Sequence, residues 1–253
     1  MLSICAMRGV SGLAVAAAVV AFAGVAATPA LGQSISLGAA ADNTLFQDTL
    51  GGLSSGAGQF LYAGTLNNGS IRRGVVRFDV SAIPAGAVVT GATLRLHMSR
   101  SVSSGEEIGL HRMTRSWGEA GSNSGQSGAG APAQAGDATW LHAFSGGATW
   151  TNAGGDFVSA ASATTIVGGE AFYTWSSSDL IADVQSWVSG GGNFGWAVLG
   201  NELIGQTVKR FDSRENSNAS FRPDLTITYV IPAPGTALVA GAGLALVARR
   251  RRR

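Results

Sequence analysis

Hydrophobic and polar residues alternate in two neighbouring stretches in the first half of the chain. Between positions 76 and 80, and again between 92 and 98, every second side chain is apolar. A period of two is typical of a β-strand with one buried face and one solvated face. Pro84 and Gly86 interrupt the pattern and mark a turn. The two stretches therefore predict antiparallel strands that face a common core.

Similar runs recur along the chain and predict about nine strands in all. They lie at residues 34–37, 41–46, 60–64, 106–113, 193–199, 207–215 and 224–229. Only the stretch after Ser177 has helical spacing, and Gly190 marks its end. The apolar residues of the run 106–113 change parity, so we expect a bulge near His111 and Arg112. The whole pattern predicts an all-β fold, namely a jelly-roll-like antiparallel β-sandwich with one short helix.

The middle of the chain has two adjoining segments of opposite composition. Residues 118–136 are almost all small or polar, so we expect a mobile loop there. Residues 137–157 instead place Trp140 and Trp150 in irregular backbone, and Trp175 lies beside a later loop. Such aromatic side chains either pin a loop to the sandwich or stack against the ring of a bound sugar. The sequence leaves both alternatives open.

Composition fits this fold class and narrows the choice of partners. The 253 residues include 37 glycines and only 13% charged residues, which suits one turn-rich domain with terminal tails. The net charge is +2, but six of the 17 cationic residues are Arg8 and the run 249–253. All 15 acidic residues lie between Asp42 and Asp224, so the body carries a net charge of −4. This distribution argues against a nucleic-acid partner.

The N-terminal segment, residues 1–32, has the three-part pattern of a secretory signal peptide. Arg8 precedes an apolar run at 10–27, and Ala30-x-Gly32 offers signal peptidase a cleavage site between Gly32 and Gln33. An uncleaved membrane anchor is the alternative for this segment. The single cysteine, Cys5, lies within it, so the exported chain would use neither disulfides nor thiol chemistry.

A series of short motifs across residues 33–230 carries a family resemblance. In chain order they are Asp42-Asn43, Arg72-Arg73, Arg77-Phe78-Asp79, Ile83-Pro84-x-Gly86, Ala92-Thr93-Leu94-Arg95-Leu96, Trp117-x-Glu119, Ala138-Thr139-Trp140, Gly154-Gly155-Asp156, Asp183-Val184-Gln185-x-Trp187, Asn193-x-Gly195-Trp196, Phe211-x-Ser213-Arg214-Glu215 and Arg222-Pro223-x-Leu225. The series resembles the DNRLRE domain, which is similar to the disaggregatase-related repeat and to carbohydrate-binding module family 96. The resemblance implies an extracellular, non-catalytic β-sandwich, with binding of alginate-type polysaccharide known for some members. Of the segment that names the family, only Asp42-Asn43 match, and the chain continues Thr-Leu-Phe-Gln.

The last segment, residues 231–253, resembles the PEP-CTERM sorting signal. Its motif and basic end include Pro232, Ala233, Pro234, Gly235, Arg249 and Arg250. The resemblance implies handling by an exosortase-type enzyme, although Ala233 stands where the motif usually has glutamate. As a helix, the apolar run 235–248 would rise roughly 21 Å, which is less than the roughly 30 Å hydrocarbon core of a bilayer. We therefore expect transient association with the inner membrane, with the arginines on its cytoplasmic side.

No residue pattern indicates a catalytic site. Glu106 and Glu107 are adjacent on a predicted strand and point to opposite faces, whereas a glycosidase needs two facing carboxylates. The three histidines lack metal-binding or catalytic-triad spacing. A structural calcium ion is the one cofactor that the acidic residues leave open. Its candidate ligands are Asp42, Asp156 and Asp212.

The predicted solvated face of the strand at 92–98 carries Arg95 and His97. They would either meet an acidic polysaccharide or form ordinary protein surface. Arg95 and His97, together with Trp140, Trp150 and Trp175, are the candidate ligand-binding residues. We therefore expect an exported, non-catalytic protein of the cell surface or extracellular matrix that either binds polysaccharide or is structural. The alternative is a secreted polysaccharide-degrading enzyme, a lyase or a glycosidase, with a cleft assembled from distant segments.

Overall fold

The computed structural model describes residues 32–232. The predicted signal peptide up to residue 31 and the sorting segment after Pro232 lie outside the described residues. The candidate residues left out are Ala233, Pro234, Gly235, Arg249 and Arg250. Gly32 and Gln33, at the predicted cleavage site, open the first strand. Across residues 32–232, no helical segment is both long enough and apolar enough to cross a membrane.

Strands dominate the described part of the chain, as the alternating pattern predicts. They are β1 (Gly32–Phe46), β2 (Leu53–Ser54), β3 (Phe60–Thr65), β4 (Ile71–Phe78), β5 (Val88–Ser101), β6 (Glu106–Arg112), β7 (Ala131–Pro132), β8 (Ala163–Val167), β9 (Ala171–Trp175), β10 (Trp196–Leu199), β11 (Lys209–Asp212) and β12 (Asp224–Val230). A helix, α1 (Ser178–Val188), lies between β9 and β10, and a short 3-10 turn (Ala219–Phe221) precedes β12. All strand pairs are antiparallel. The all-β prediction is confirmed.

Six of these strands close into a ring in the order β1, β12, β5, β11, β3, β4 and back to β1. The long strand β1 closes it, because its first half pairs with β12 and its second half pairs with β4. The change of partner occurs at a register shift between Ala39 and Ala41. Strand β9 adds to β5 on the side away from β12, while β10, β6 and β8 extend the sheet beyond β4. The sequence pattern predicts two separate strands where the structure has the single strand β1.

The main hydrophobic core takes side chains from the ring strands and from the sheet beyond β4. Strand β5 contributes Leu94, Leu96 and Met98, all fully buried, as its alternation predicts. Helix α1 adds Leu180, Val184 and Trp187 from its buried face. Each large apolar side chain buried in this way contributes about 1.5–3 kcal/mol to folding. This cluster is the main apolar source of stability in the described part of the chain.

The short helix begins and ends as the sequence predicts. Ser177 caps its N-terminus, and the Ser177 hydroxyl accepts a hydrogen bond of 2.9 Å from the backbone N–H of Leu180. Asp179 lies in the first turn, where a negative charge is favourable. Beyond Val188, Gly190 adopts φ of 92°, a left-handed conformation that stops the helix.

A second hydrophobic cluster covers the opposite face of β4 and β10. It contains Val75 and Ala197 from those strands and three tryptophans from the segment after β6, and its buried members are Ala41, Leu45, Val75, Met113, Trp117, Ala138, Trp140, Ala143, Trp150 and Ala197. Both faces of β4 are therefore buried, since Val76 and Phe78 point into the main core. This second core explains the parity change in the run 106–113. Met113 belongs to the second core while Ile108 and Leu110 belong to the first.

The prediction of a bulge near His111 and Arg112 is therefore wrong. Strand β6 pairs with β10 in unbroken register from Gly109 to Arg112. The prediction assumed that all buried side chains of the strand face one core. Because the sheet has a core on each face here, a change of parity requires no distortion of the backbone.

The small and polar segment 118–136 contacts the rest of the domain through hydrogen bonds, and its expected mobility stays a prediction. Strand β7 within it pairs with β2. The backbone N–H of Ala57 donates to the carbonyl of Ser122 at 2.8 Å, and Arg72 Nε donates to the carbonyl of Gly128 at 2.7 Å. Hydrogen bonds to the backbone, rather than large apolar side chains, hold this segment in place. Amino-acid composition alone does not reveal such bonds.

Candidate functional site

The three tryptophans that are candidates for sugar platforms are buried. Trp175 has no exposed surface, and its indole N–H donates to the carbonyl of Ile108 at 2.8 Å, so the structure does not support the sugar-stacking alternative for it. Trp140 and Trp150 are 8% and 6% exposed and belong to the second core. Trp150 Nε1 donates to the carbonyl of Thr139 at 2.8 Å. For these two residues the structure supports the alternative that they pin their loop to the sheet.

Of the predicted polar pair on β5, His97 is enclosed rather than solvated. Its ring stacks on Phe221 at 4.0 Å between centroids, and Phe172 on β9 covers it from another side. Nδ1 of His97 lies 2.5 Å from Oδ2 of Asp212. The predicted exposure of His97 is therefore wrong, because β9 and the 3-10 turn cover this part of the strand. Arg95 is half-buried, with its guanidinium 4.7 Å from the centroid of Phe172.

Two of the three candidate calcium ligands have both carboxylate oxygens engaged within the protein. Asp212 contacts His97 through Oδ2 and accepts from Asn216 Nδ2 at 2.8 Å through Oδ1. Asp156 accepts backbone hydrogen bonds of 2.9 Å from both Thr151 and Asn152. Burial disfavours the charged form of Asp156, but these hydrogen bonds outweigh it and hold its pKa below the ordinary value. Both side chains therefore organise loops.

The third candidate, Asp42, belongs to a group of acids that we call the acidic cluster: Asp42, Glu119 and Glu215. One carboxylate oxygen of each residue lies within 4.8 Å of those of the other two. Asp42 is 1% exposed and accepts a hydrogen bond of 2.7 Å from the backbone N–H of Arg214. Arg214 Nε lies 2.9 Å from Glu119 Oε1 and 2.8 Å from Glu215 Oε1. The structure thus brings Asp42 together with two glutamates rather than with Asp156 and Asp212.

Burial, and then the crowding of like charges, raises the pKa values of Asp42 and Glu215 in the acidic cluster. Burial, reinforced by the Glu215 carboxylate, raises the pKa of Asp42 well above its ordinary value. Burial and the Glu119 carboxylate raise the pKa of Glu215 to about 7. Conversely, its hydrogen bond to Glu119 raises the pKa of Arg214 and keeps it charged. One arginine therefore faces three acids.

Two arginines meet where β3, β11 and β5 run side by side. Tyr62 on β3 is directly opposite Arg210 on β11, and Arg210 is in turn opposite Arg100 on β5. Residues directly opposite in an antiparallel pair lie on the same face. We call these three residues the arginine row. Two like charges placed directly opposite destabilise a sheet, so the row calls for a functional explanation.

The arginine row lines a pocket of about 160 Å³. Gln126 and Gly128, from the segment 118–136, form its other wall. A neighbouring pocket of similar volume is lined by Phe60 and Asn123 and shares Gln126 with the first. The guanidinium of Arg210 lies 3.9 Å from the centroid of Phe60 and so joins the two. We call these two adjacent pockets the track; polar, aromatic and cationic groups line it together with Leu66, Val102 and Val208.

The pocket combines two arginines with a hydroxyl that has no partner, and Arg210 also donates through Nε to Ser99 Oγ at 3.1 Å. The hydroxyl of Tyr62 is buried and has no hydrogen-bond partner among residues 32–232. Burial raises the pKa of Tyr62, although Arg210 and Arg100 oppose this, so the phenol is a neutral O–H donor near pH 7. Among the ion pairs of the described residues, neither Arg100 nor Arg210 takes part. A carboxylate-bearing ligand would pair with the guanidinium groups of Arg100 and Arg210.

Sequence reasoning missed the arginine row because its members are far apart in the chain. Arg100 lies near the end of one predicted strand and Arg210 lies within another, more than a hundred positions later. The absence of an acidic residue within a few positions of Arg100 was the only available signal. Of the acids considered for catalysis, Glu107 is exposed, while Glu106 is half-buried and accepts from Asn201 Nδ2 at 3.1 Å.

Comparison with models of known protein families gives no match for this chain. Comparison with curated protein sequences gives no significant match either.

Proposed function

We propose that the chain is an exported, non-catalytic protein of the cell surface or extracellular matrix whose β-sandwich binds an acidic polysaccharide. The strands would follow the connection pattern of a jelly roll. The N-terminal signal peptide and the PEP-CTERM-like tail, through signal peptidase and an exosortase-type enzyme, would direct export and sorting. The resemblance of the motif series to the DNRLRE domain supports the same conclusion.

The observation that carries the binding proposal is the arginine row. An acidic sugar presents a carboxylate and several hydroxyls, and arginine is the side chain best suited to a planar carboxylate. Arg100 and Arg210 supply the cationic groups, and the free hydroxyl of Tyr62 supplies a further donor. Gln126 and Asn123 along the track add amide groups that suit sugar hydroxyls. Two adjacent pockets that share Gln126 offer room for neighbouring units of a chain.

The test is affinity electrophoresis of the full-length chain, in a mild detergent, through gels that contain a polyuronate or a neutral glucan. Reducing ends are measured in the same mixtures. We expect retardation by the polyuronate only, without release of reducing ends. Tyr62→Phe should weaken retardation because it deletes a hydrogen bond to a charged group, a loss of about 1.5–3 kcal/mol. The fold should not change, since the Tyr62 hydroxyl has no partner in the protein.

Arg100→Gln provides a second variant, because Arg100 is exposed and its loss leaves the core intact. Arg222→Gln is the matched control, since it removes one positive charge from another exposed position. Equal retardation of the wild type, Tyr62→Phe and Arg100→Gln would refute the site. Release of reducing ends would instead favour the polysaccharide-degrading enzyme.

A further inference from the structure

The acidic cluster joins three segments that are distant in the chain. Asp42 lies on β1 just after its change of partner, Glu119 follows β6, and Glu215 follows β11. The backbone N–H of Asp42 donates to Glu119 Oε1 at 3.0 Å, and the backbone N–H of Arg214 donates to Asp42. The carboxylates therefore converge because the backbone holds them, and not only because Arg214 attracts them.

Two carboxylate oxygens of the cluster are left without partners. Oδ1 of Asp42 and Oε2 of Glu215 are buried and accept no hydrogen bond among the described residues. A buried acceptor without a partner costs about 1–3 kcal/mol, and more when it is charged. Buried oxygens of this kind are normally satisfied by a proton, a water molecule or a cation.

The charges of the cluster do not balance. Three carboxylates face the single guanidinium of Arg214, so the fully ionised group carries a net charge of −2. We propose that the acidic cluster binds one Ca²⁺ ion through Asp42, Glu119 and Glu215. A divalent cation would neutralise the excess charge and satisfy both free oxygens at once. This site shares no residue with the arginine row and is independent of the proposed function.

The donor set selects the type of metal. All three side chains offer hard oxygen ligands, and the cluster contains neither histidine nor cysteine. Calcium accepts six to eight oxygens in flexible geometry, so water molecules can complete its coordination. Magnesium demands a smaller and more regular octahedron, and it usually retains several of its waters. Three protein carboxylates at spacings of up to 4.8 Å fit the larger ion better.

Binding at this position would stabilise the fold. The ion would bridge β1, the segment after β6 and the loop between β11 and β12, none of which meet in the unfolded chain. At a free Ca²⁺ concentration of 100 times the Kd, the equilibrium constant for unfolding falls about 100-fold. The measurement belongs at pH 8, where protons compete little with a cation for carboxylate oxygens.

The experiment titrates CaCl₂ into the EDTA-treated full-length chain by calorimetry and measures Tm with and without Ca²⁺. We expect one site and a higher Tm in Ca²⁺. Asp42→Asn keeps the shape of the side chain but removes its charge, and it should weaken binding at least tenfold. Its Tm in EDTA should equal or exceed that of the wild type, because the charge repulsion is gone.

Glu215→Gln tests a second ligand in case Asp42→Asn fails to fold. Glu107→Gln is the matched control, since it removes one exposed carboxylate outside the cluster and should retain full Ca²⁺ binding. No heat of binding and no change in Tm for the wild type would overturn the proposal. A Ca²⁺ effect that persists in both Asp42→Asn and Glu215→Gln would also overturn it, because the ion would then bind elsewhere.

Discussion

Trp150 provides the sharpest test of how the segment 137–157 is held to the sheet. It is 6% exposed, packs in the second core and donates an indole hydrogen bond to the carbonyl of Thr139. Trp150→Ala removes both contributions and leaves a cavity. Tryptophan-to-alanine changes of this kind cost about 3–5 kcal/mol. Since domains are typically stable by about 5–15 kcal/mol, this variant should lose a large share of the total.

Trp150→Phe separates packing from hydrogen bonding. Phenylalanine keeps most of the apolar contact but leaves the carbonyl of Thr139 buried without a donor. An unpartnered buried acceptor costs about 1–3 kcal/mol. We therefore expect the free energy of unfolding of Trp150→Phe to lie between those of the wild type and Trp150→Ala.

The assay is urea unfolding of the full-length chain followed by circular dichroism. Leu203→Ala is the control, because Leu203 is 95% exposed and its loss should change the free energy of unfolding by less than about 0.5 kcal/mol. The reasoning fails if Trp150→Ala is as stable as this control. If Trp150→Ala also lost polyuronate binding while remaining stable, the indole would serve a ligand rather than the loop.

Two further predictions concern pH and backbone geometry. The pKa of Glu215 is about 7 in the folded state, whereas its ordinary value is 4.5. Between these two pH values the folded chain therefore binds more protons than the unfolded chain, and folding is favoured as the pH falls. In EDTA, Tm should rise as the pH falls from 8 to 5, and Glu215→Gln should flatten this dependence; an unchanged slope would contradict the assignment. Gly195 has φ of 73°, and a Cβ there would lie 2.0 Å from the carbonyl oxygen of Val76. Gly69 is the control, because it has φ of 81° but open space around an added Cβ. Gly195→Ala should lower the free energy of unfolding by at least about 2 kcal/mol more than Gly69→Ala does. Equal losses in urea unfolding would refute the backbone clash.

The sequence predicts the strands and the helix that have one buried face. It does not predict the packing of strands that are buried on both faces. Alternation in the strand at 92–98 and the capping signals around Ser177 predict β5 and α1 correctly. From the same pattern we expect one core, and we therefore misinterpret the parity of Met113. A second core on the outer face of β4 depends on which distant segments pack there, and periodicity within one strand carries no information about that.

For the acidic cluster and the arginine row, the sequence shows the individual residues but not which of them lie together. Asp42, Glu119 and Glu215 each stand in a short motif, but their convergence depends on the change of partner within β1. The arginine row depends on the register between β3, β11 and β5, which turn and packing geometry set. His97 illustrates the opposite error, because a polar position in an alternating strand is not solvated when another strand and a turn cover it.

The pairing of β1 with β12 has a mechanical consequence. Gly32 is opposite Val230, so both ends of the described domain leave from the same corner. The hydrogen bonds of an antiparallel pair run perpendicular to the strands. A force that pulls Gly32 away from Val230 would therefore break the hydrogen bonds between β1 and β12 one after another. A shearing force along the strands would instead load all of these bonds at once. Tension applied between these two ends would therefore separate β1 from β12 at a lower force than shear along the strands would need.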